Sequence, residues 1–223
     1  VATQAQYEAA IHMGLTHIYA ESPLYRNCLV QGHKIGYSGK RIMKEAYPDT
    51  QILFCENSGI THAEAIAEHF VNVTNSYAAA FLFSYGVKGI VLSTECTSFQ
   101  RQELIRVFHQ RYGVAGSFLS YGYGREELMV MEYCPINTCL FAQGKGACQL
   151  CKKENAYVLE DLHHRRYPLY GDEDCRMHIM DDTVQPSWEL ADAIFLRFYH
   201  ETKEQAEQLI QTAMQYLNAK ENS

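Results

Sequence analysis

The sequence predicts a (β/α)8 barrel of the TIM-like kind, somewhat compressed. Short apolar stretches alternate with amphipathic ones along all 223 residues, and repeated strand–helix units imply parallel strands joined by right-handed crossovers. Helix starts and stops are marked by Thr caps with Gln three residues on, and by glycines. About eight strands can be counted, the number that closes a barrel. The chain is slightly shorter than the roughly 250 residues of a typical barrel, so some helices must be short or absent. A cysteine-rich loop at 134–176, inserted after a late strand, replaces one of them. An open doubly wound sheet is the alternative architecture. No linker, repeat or low-complexity segment divides the chain, so a single domain over 1–223 is expected.

Taken in order, Val1–Thr3 counts as a first strand. Thr3 and Gln6 then pair as a capping box for a helix that ends at Gly14. A strand follows at His17–Ala20, then an irregular stretch Glu21–Gly39, a short helix Lys40–Ala46 stopped before Pro48, and a strand Gln51–Cys55. The spacing predicts a helix His62–His69, a strand Val71–Thr74, a helix Ser76–Tyr85 closed by Gly86, and a strand Gly89–Ser93. Thr97 and Gln100 repeat the capping box. The helix they open puts Leu104, Ile105, Phe108 and Tyr112 on one face and stops at Gly113. G-Y-G at Gly122–Gly124 reads as a turn, and Leu128–Tyr133 as a buried strand stopped by Pro135, which has no N–H for a ladder. Beyond it, Ala156–Leu162 and Tyr167–Tyr170 suggest a hairpin, and Met177–Met180 and Ile194–Phe198 two more strands. The last helix, Lys203–Ala219, carries Ala206, Leu209, Ile210, Ala213 and Leu217 as one stripe.

With 47% hydrophobic and 20% charged residues the chain can build a sizeable core. No run is long enough to span a membrane and no signal peptide is visible. The chain starts without Met and goes straight into periodic structure, so it reads as a fragment of a longer protein, with a cytoplasmic location expected. A net charge of −7 disfavours nonspecific nucleic-acid binding by the whole surface. Between Cys134 and His178, however, six basic residues balance six acidic ones.

Five of the eight cysteines, Cys134, Cys139, Cys148, Cys151 and Cys175, fall in one segment. A secreted disulfide framework suits small chains with weak cores, whereas clustered thiols in a chain of this size suit a metal. Cys148 and Cys151 have the C-x-x-C spacing that lets two sulfurs reach one ion. About four thiolates would hold a zinc or an iron–sulfur cluster. Cys28, Cys55 and Cys96 stand apart; Cys55 and Cys96, at strand ends, read as small buried residues rather than ligands.

In such a barrel the loops after the strands carry the chemistry. Glu21, Glu56, Asn57, Asn75, Glu95, Glu132, Asp181, Asp182, His200 and Glu201 fall there. Each could do acid–base work or simply cap a helix or pair with Lys or Arg. Glu95 and Glu132 are the candidate catalytic pair: Glu95 ends the most apolar strand, and Glu132 precedes Cys134. The phosphate-binding glycine motifs and the metalloprotease H-E-x-x-H motif are absent.

V-N-V-T-N-S-Y-A-A-A-F followed by Y-G-V-K-G-I-V-L-S-T-E resembles the central block of the collagenase-like peptidases, family U-32. E-L-M-V-M-E-Y-C falls at that family's signature strand and first cysteine, Y-P-L-Y-G-D-E-D-C-R at its later cysteine segment, and I-F-L-R-F-Y-H-E-T-K-E-Q-A at its final strand and helix. The match is to the C-terminal barrel half of a long member. The resemblance implies a peptidase of unassigned catalytic type. Alternatively it implies an iron–sulfur-dependent, oxygen-independent hydroxylase of tRNA, ribosomal RNA or a small aromatic substrate. In those members a four-iron four-sulfur cluster sits on four cysteines, which Cys134, Cys139, Cys148 and Cys175 resemble by position, with Cys151 an extra thiol. A third reading is a non-catalytic interaction half held by zinc, whose partner is the remainder of its own chain. RNA or protein is the substrate expected, with no membrane partner.

Overall fold

The structure, a computed structural model, describes residues 1–62, 64–113, 116–144, 157–184, 188 and 191–221. The chain forms two compact units, Val1–Tyr123 with Pro186–Ser223, and Gly124–Gln185, where the sequence was read as one domain with a loop at 134–176.

The first unit opens with α1 (Gln4–His12), capped by the expected Thr3–Gln6 box. Then follow β1 (Tyr19–Ala20), α2 (Ser22–Val30), β2 (Gly36–Ser38), β3 (Ile52–Phe54), β4 (Ile66–Ala67), α3 (Ser76–Ser84), β5 (Gly89–Val91), α4 (Ser98–Tyr112) and β6 (Ser117–Tyr123). The second unit holds β7 (Arg125–Met131), α5 (Pro135–Ala142), β8 (Tyr157–Glu160), β9 (Arg166–Gly171) and β10 (Met177–Val184). The chain returns to the first unit for β11 (Ala193–Leu196) and α6 (Lys203–Glu221). Among the described residues no helix is long and apolar enough to cross a membrane.

Seven strands form one curled sheet in the order β1-β2-β3-β4-β5-β6-β11, and every pair in it is parallel. The parallel direction is as predicted, with β1 and β11 as edges, but the strands differ: β2, β4 and β6 were not expected as strands, Val71–Thr74 forms none, and the expected strands Leu128–Tyr133 and Met177–Met180 lie in the second unit's sheet. No strand forms at Val1–Thr3. Side chains alternate across the sheet as the pleat requires. Ile52, Phe54, Ile90 and Phe118 point into the core under the helices. Leu53, Val91 and Tyr121 point to the opposite, concave face, where Tyr19, Ile66, Leu119 and Phe195 join them. Burial on both faces explains why these strands read as unbroken apolar runs. The layer of helices continues past the sheet edges, since α1 packs on α6. There Gln6 donates to the Glu201 carbonyl at 3.0 Å and His12 meets Glu207 at 2.9 Å.

Several elements differ from expectation. Glu21–Gly39 contains α2, which buries Leu24, Tyr25 and Cys28 and has Pro23 in its first turn, where the missing N–H costs nothing. Lys40–Ala46 is not helical. The periodic stretch His62–His69 holds β4 instead of a helix, with single 3-10 turns at Asn57–Thr61 and His69–Val71. Glu64 there has φ +59°, which no helix tolerates. Gly122 lies inside β6, not in a turn; a Cβ there would meet Ile194 Cγ2 at 2.4 Å.

In the second unit, β7-β10-β9-β8 form an antiparallel sheet of four strands. The predicted hairpin is present as β8–β9. The strand expected to be buried, β7, instead exposes Leu128 and Met129 by 52% each. Leu169, Met177 and Ile136 form the small core.

Candidate functional site

The carboxyl ends of the parallel strands bring together residues from four places in the sequence. Glu68 directly follows β4, and its N–H donates to the Phe54 carbonyl at 2.9 Å, which locks it to β3. Its side chain is fully buried, with 0% exposure. Arg197 directly follows β11, and its N–H donates to the Tyr123 carbonyl at 2.8 Å. Its guanidinium makes a short ion pair with Glu68 and reaches Glu21, just past β1, at 3.7 Å. The Cys55 thiol, one residue past β3, donates to the second Glu68 oxygen at 2.7 Å. His69 Nδ1 lies 3.8 Å from Glu68.

Aromatic rings surround this polar centre. The Arg197 guanidinium lies 5.3 Å from the Tyr199 ring and 5.9 Å from Phe70, and Arg41 covers Phe70 at 4.6 Å. Burial works against the Arg197 charge, but Glu68, Tyr199 and Glu21 outweigh it and hold its pKa well above the ordinary value. Burial pushes the Tyr199 phenol far up, against the pull of Arg197. The centre is therefore a guanidinium that keeps its charge, set between Glu68 and Glu21, beside a phenol that keeps its proton.

Of the two catalytic candidates, Glu95 stands exposed in the turn after β5, its N–H held by Ser93 Oγ at 3.2 Å. Glu132 is in the second unit, an exposed carboxylate 3.7 Å from the buried Arg176. The expected adjacency of their strands does not occur: β7 pairs with β10, and β6 lies between β5 and β11. Other strand-end polar groups have structural partners. Asn75 caps α3 through the Tyr77 and Ala78 amides. Glu201 accepts from Tyr123 Oη at 2.8 Å and from the Tyr199 amide at 2.6 Å. Glu56 accepts from Ser58 at 2.6 Å. Asp181 and Asp182 are on β10, outside the parallel sheet.

The sequence reading passed over Glu68, Arg197 and Tyr199 and took Cys55 for a core thiol. One signal was present, an arginine inside the aromatic strand run I-F-L-R-F-Y. Glu68 was hidden by the false helix around it.

In the second unit, Cys134 caps α5, its sulfur accepting from the Asn137 amide at 3.4 Å. Cys139 and Cys175 are exposed, and Cys175 has φ +63°. Cys148 and Cys151 lie outside the described residues. Among the described residues no three His, Cys, Asp or Glu side chains are arranged to hold a metal. The same unit buries a charged trio. His178 Nδ1 meets Glu127 at 2.5 Å, and its Nε2 lies 3.4 Å from Asp172. Burial alone would lower the imidazole pKa, but hydrogen bonds to Asp172 and Glu127 outweigh it and raise it to about 9.

No protein-family model matches this chain, and neither does any curated protein or solved structure.

Proposed function

We propose that this chain is an enzyme barrel of the collagenase-like peptidase type, family U-32, hydrolysing peptide bonds at the carboxyl ends of its parallel strands. The observation that supports it is the buried Glu68–Arg197–Cys55 cluster at that end of the sheet. A purely structural position there is more stable filled with apolar side chains, because moving each ion out of water costs several kcal/mol before pairing offsets it. Parallel α/β folds bind their substrates at this end. In this reading Glu68 is a positioning residue: Arg197 neutralises it, and the Cys55 thiol already donates to it. The base is the accessible carboxylate on the same rim, Glu95. It takes a proton from the water attacking the peptide carbonyl and passes it to the leaving amine.

The test is hydrolysis of gelatin-derived peptides together with thermal melting. Glu95→Gln should slow turnover on the order of 100-fold or more and leave the melting midpoint in place. Glu68→Gln should lower both. Full activity in Glu95→Gln rejects the base assignment, and no hydrolysis by the parent rejects the peptidase reading.

A contrast among the thiols favours a second reading. Cys28, Cys55 and Cys96 are buried, whereas Cys134 is half-buried and Cys139 and Cys175 are exposed. Accessible thiols gathered in one segment suit ligation, where core thiols do not. With Cys148 and Cys151 they would hold a four-iron four-sulfur cluster or a zinc ion. A cluster would supply the electron transfer for oxygen-independent hydroxylation of RNA or a small aromatic molecule. Zinc would instead stabilise an interaction half. Iron, sulfide and zinc analysis after anaerobic purification separates the two.

A further inference from the structure

We infer that the cavity on the concave face of the parallel sheet binds one free apolar amino acid, its ammonium held by Glu64 and its carboxylate by Lys88. The inference does not depend on the peptidase reading.

The first argument is the wall. The cavity has a volume of about 360 Å³, within the range of pockets that enclose a small ligand. Tyr19, Leu53, Ile66, Leu119 and Phe195 line it, and all five belong to the concave face. A closed barrel fills its interior with layers of bulky side chains. Here Leu53 is buried but the other four are only half-buried, so apolar surface is left facing the cavity. An apolar group that enters takes this surface out of water, which favours binding.

The second argument is the charge at the mouth. Glu64 precedes β4, Lys88 precedes β5, and both line the cavity. Both are exposed, so the cavity reaches the surface at the amino ends of these strands. The two strand starts are tied together, the Lys88 N–H donating to the Ala65 carbonyl at 2.8 Å. Opposite charges therefore stand in neighbouring strands at one opening, yet among the described residues no ion pair joins either of them to another side chain. Burial, and then the Glu64 carboxylate, push the Tyr19 phenol up to about 12, which places the Glu64 charge beside the cavity wall. At the inner end the charges are already matched, with Arg197 and Glu21 3.7 Å apart.

The third argument is the fit of one chemical class. An α-amino acid carries its ammonium and its carboxylate on the same carbon. It can meet Glu64 and Lys88 together at the mouth and direct its side chain inward along the apolar wall. A simple amine or a simple acid answers only one of the two charges. A peptide would carry backbone N–H and C=O groups into an apolar space, where each unpaired group is costly.

The test is calorimetric titration of the whole chain with L-leucine and L-phenylalanine. Three partial ligands are titrated beside them: 3-methylbutylamine, 4-methylpentanoate and glycine, which lack in turn the carboxylate, the ammonium and the apolar side chain. At least one of the two amino acids should bind at one site per chain, and each partial ligand about 10-fold more weakly or worse. Glu64→Gln and Lys88→Met should each weaken amino-acid binding by about 10-fold or more and leave the melting midpoint in place, since both side chains are exposed. The ligand series uses the unaltered chain, so it stands even where a variant fails to fold. The inference is overturned if neither amino acid binds, if the amine or the acid binds as tightly as the amino acid, or if either folded variant keeps full affinity.

Discussion

Replacing Arg197 by Leu tests whether the strand-end cluster behaves as a buried ion pair. The substitution leaves Glu68 with 0% exposure and with the Cys55 thiol as its remaining short-range donor. Removing one partner of a buried pair costs about 3–5 kcal/mol, and in a domain of this size each kcal/mol lowers the melting midpoint by about 2–4 °C. A fall of roughly 10–15 °C at pH 7 is expected. The double variant Arg197→Leu with Glu68→Leu should recover most of it, because an apolar pair of similar volume carries no desolvation cost. The pH dependence follows from the same reasoning. An unpaired buried Glu68 has its folded pKa raised above the unfolded value of about 4.3. Its penalty is therefore absent below that value and grows as pH rises through it. The deficit of the single variant should thus shrink toward pH 4. Calorimetry between pH 4 and pH 8 measures both effects. A pH-independent loss below about 1 kcal/mol, or a double variant as unstable as the sum of the singles, would refute the ion-pair account.

Three other outcomes follow from the geometry. His178, with its folded pKa raised from 6.5 to about 9, should contribute about 3 kcal/mol to its unit below pH 6.5 and lose it as pH rises through 9. Burial lowers the pKa, and Asp172 after β9 and Glu127 on β7 raise it to that value. An NMR titration with a midpoint near 6.5 would contradict it. Thr97→Ala should cost about 1 kcal/mol, because Thr97 and Gln100 cap each other at the start of α4; chemical denaturation measures this, and no change would show the cap to be idle. Cys148→Ser should abolish iron or zinc binding after anaerobic reconstitution and Cys28→Ser should not; equal metal content in both would exclude the cysteine segment as the ligand set.

The helices were legible where their ends are written in side chains. The Thr3–Gln6 and Thr97–Gln100 boxes sit where expected, and the stripe of α6 buries Ala206, Ile210 and Ala213. Strand β4 spans two residues, too short for any period to register, although β1, equally short, fell within the expected strand His17–Ala20. A helical period was therefore read across 62–69, where the chain folds back at Glu64. Strand β6 was missed because Ser, Tyr and Gly carry turn signals, although Gly122 is required there by Ile194 across the ladder. The strand-end cluster was illegible for a different reason. Glu68 and Arg197 are 129 residues apart, and only the parallel topology makes their strand ends converge. Exposed Glu95 could be nominated by position alone. A buried pair can be recognised only once the partner is known.

The place of the second unit in the chain follows from the same topology. Strands β6 and β11 are sheet neighbours, yet the whole of Gly124–Gln185 lies between them in sequence. Parallel neighbours always need a connection of a dozen or more residues. Lengthening that connection costs only about 0.6 kcal/mol per doubling, so roughly two doublings add little more than 1 kcal/mol. What must not slip is the register on return, since a shift of one residue would turn Phe195 out of the concave face and Arg197 away from Glu68. Asp192 fixes it twice. Its N–H donates to the Phe118 carbonyl at 2.9 Å, and its carboxylate accepts from the Phe118 N–H at 2.8 Å. Two bonds between the same two residues define one alignment whatever precedes Asp192 in the chain. The parallel sheet can therefore carry an inserted unit at this connection while its strand ends, and the charged cluster built on them, stay in place.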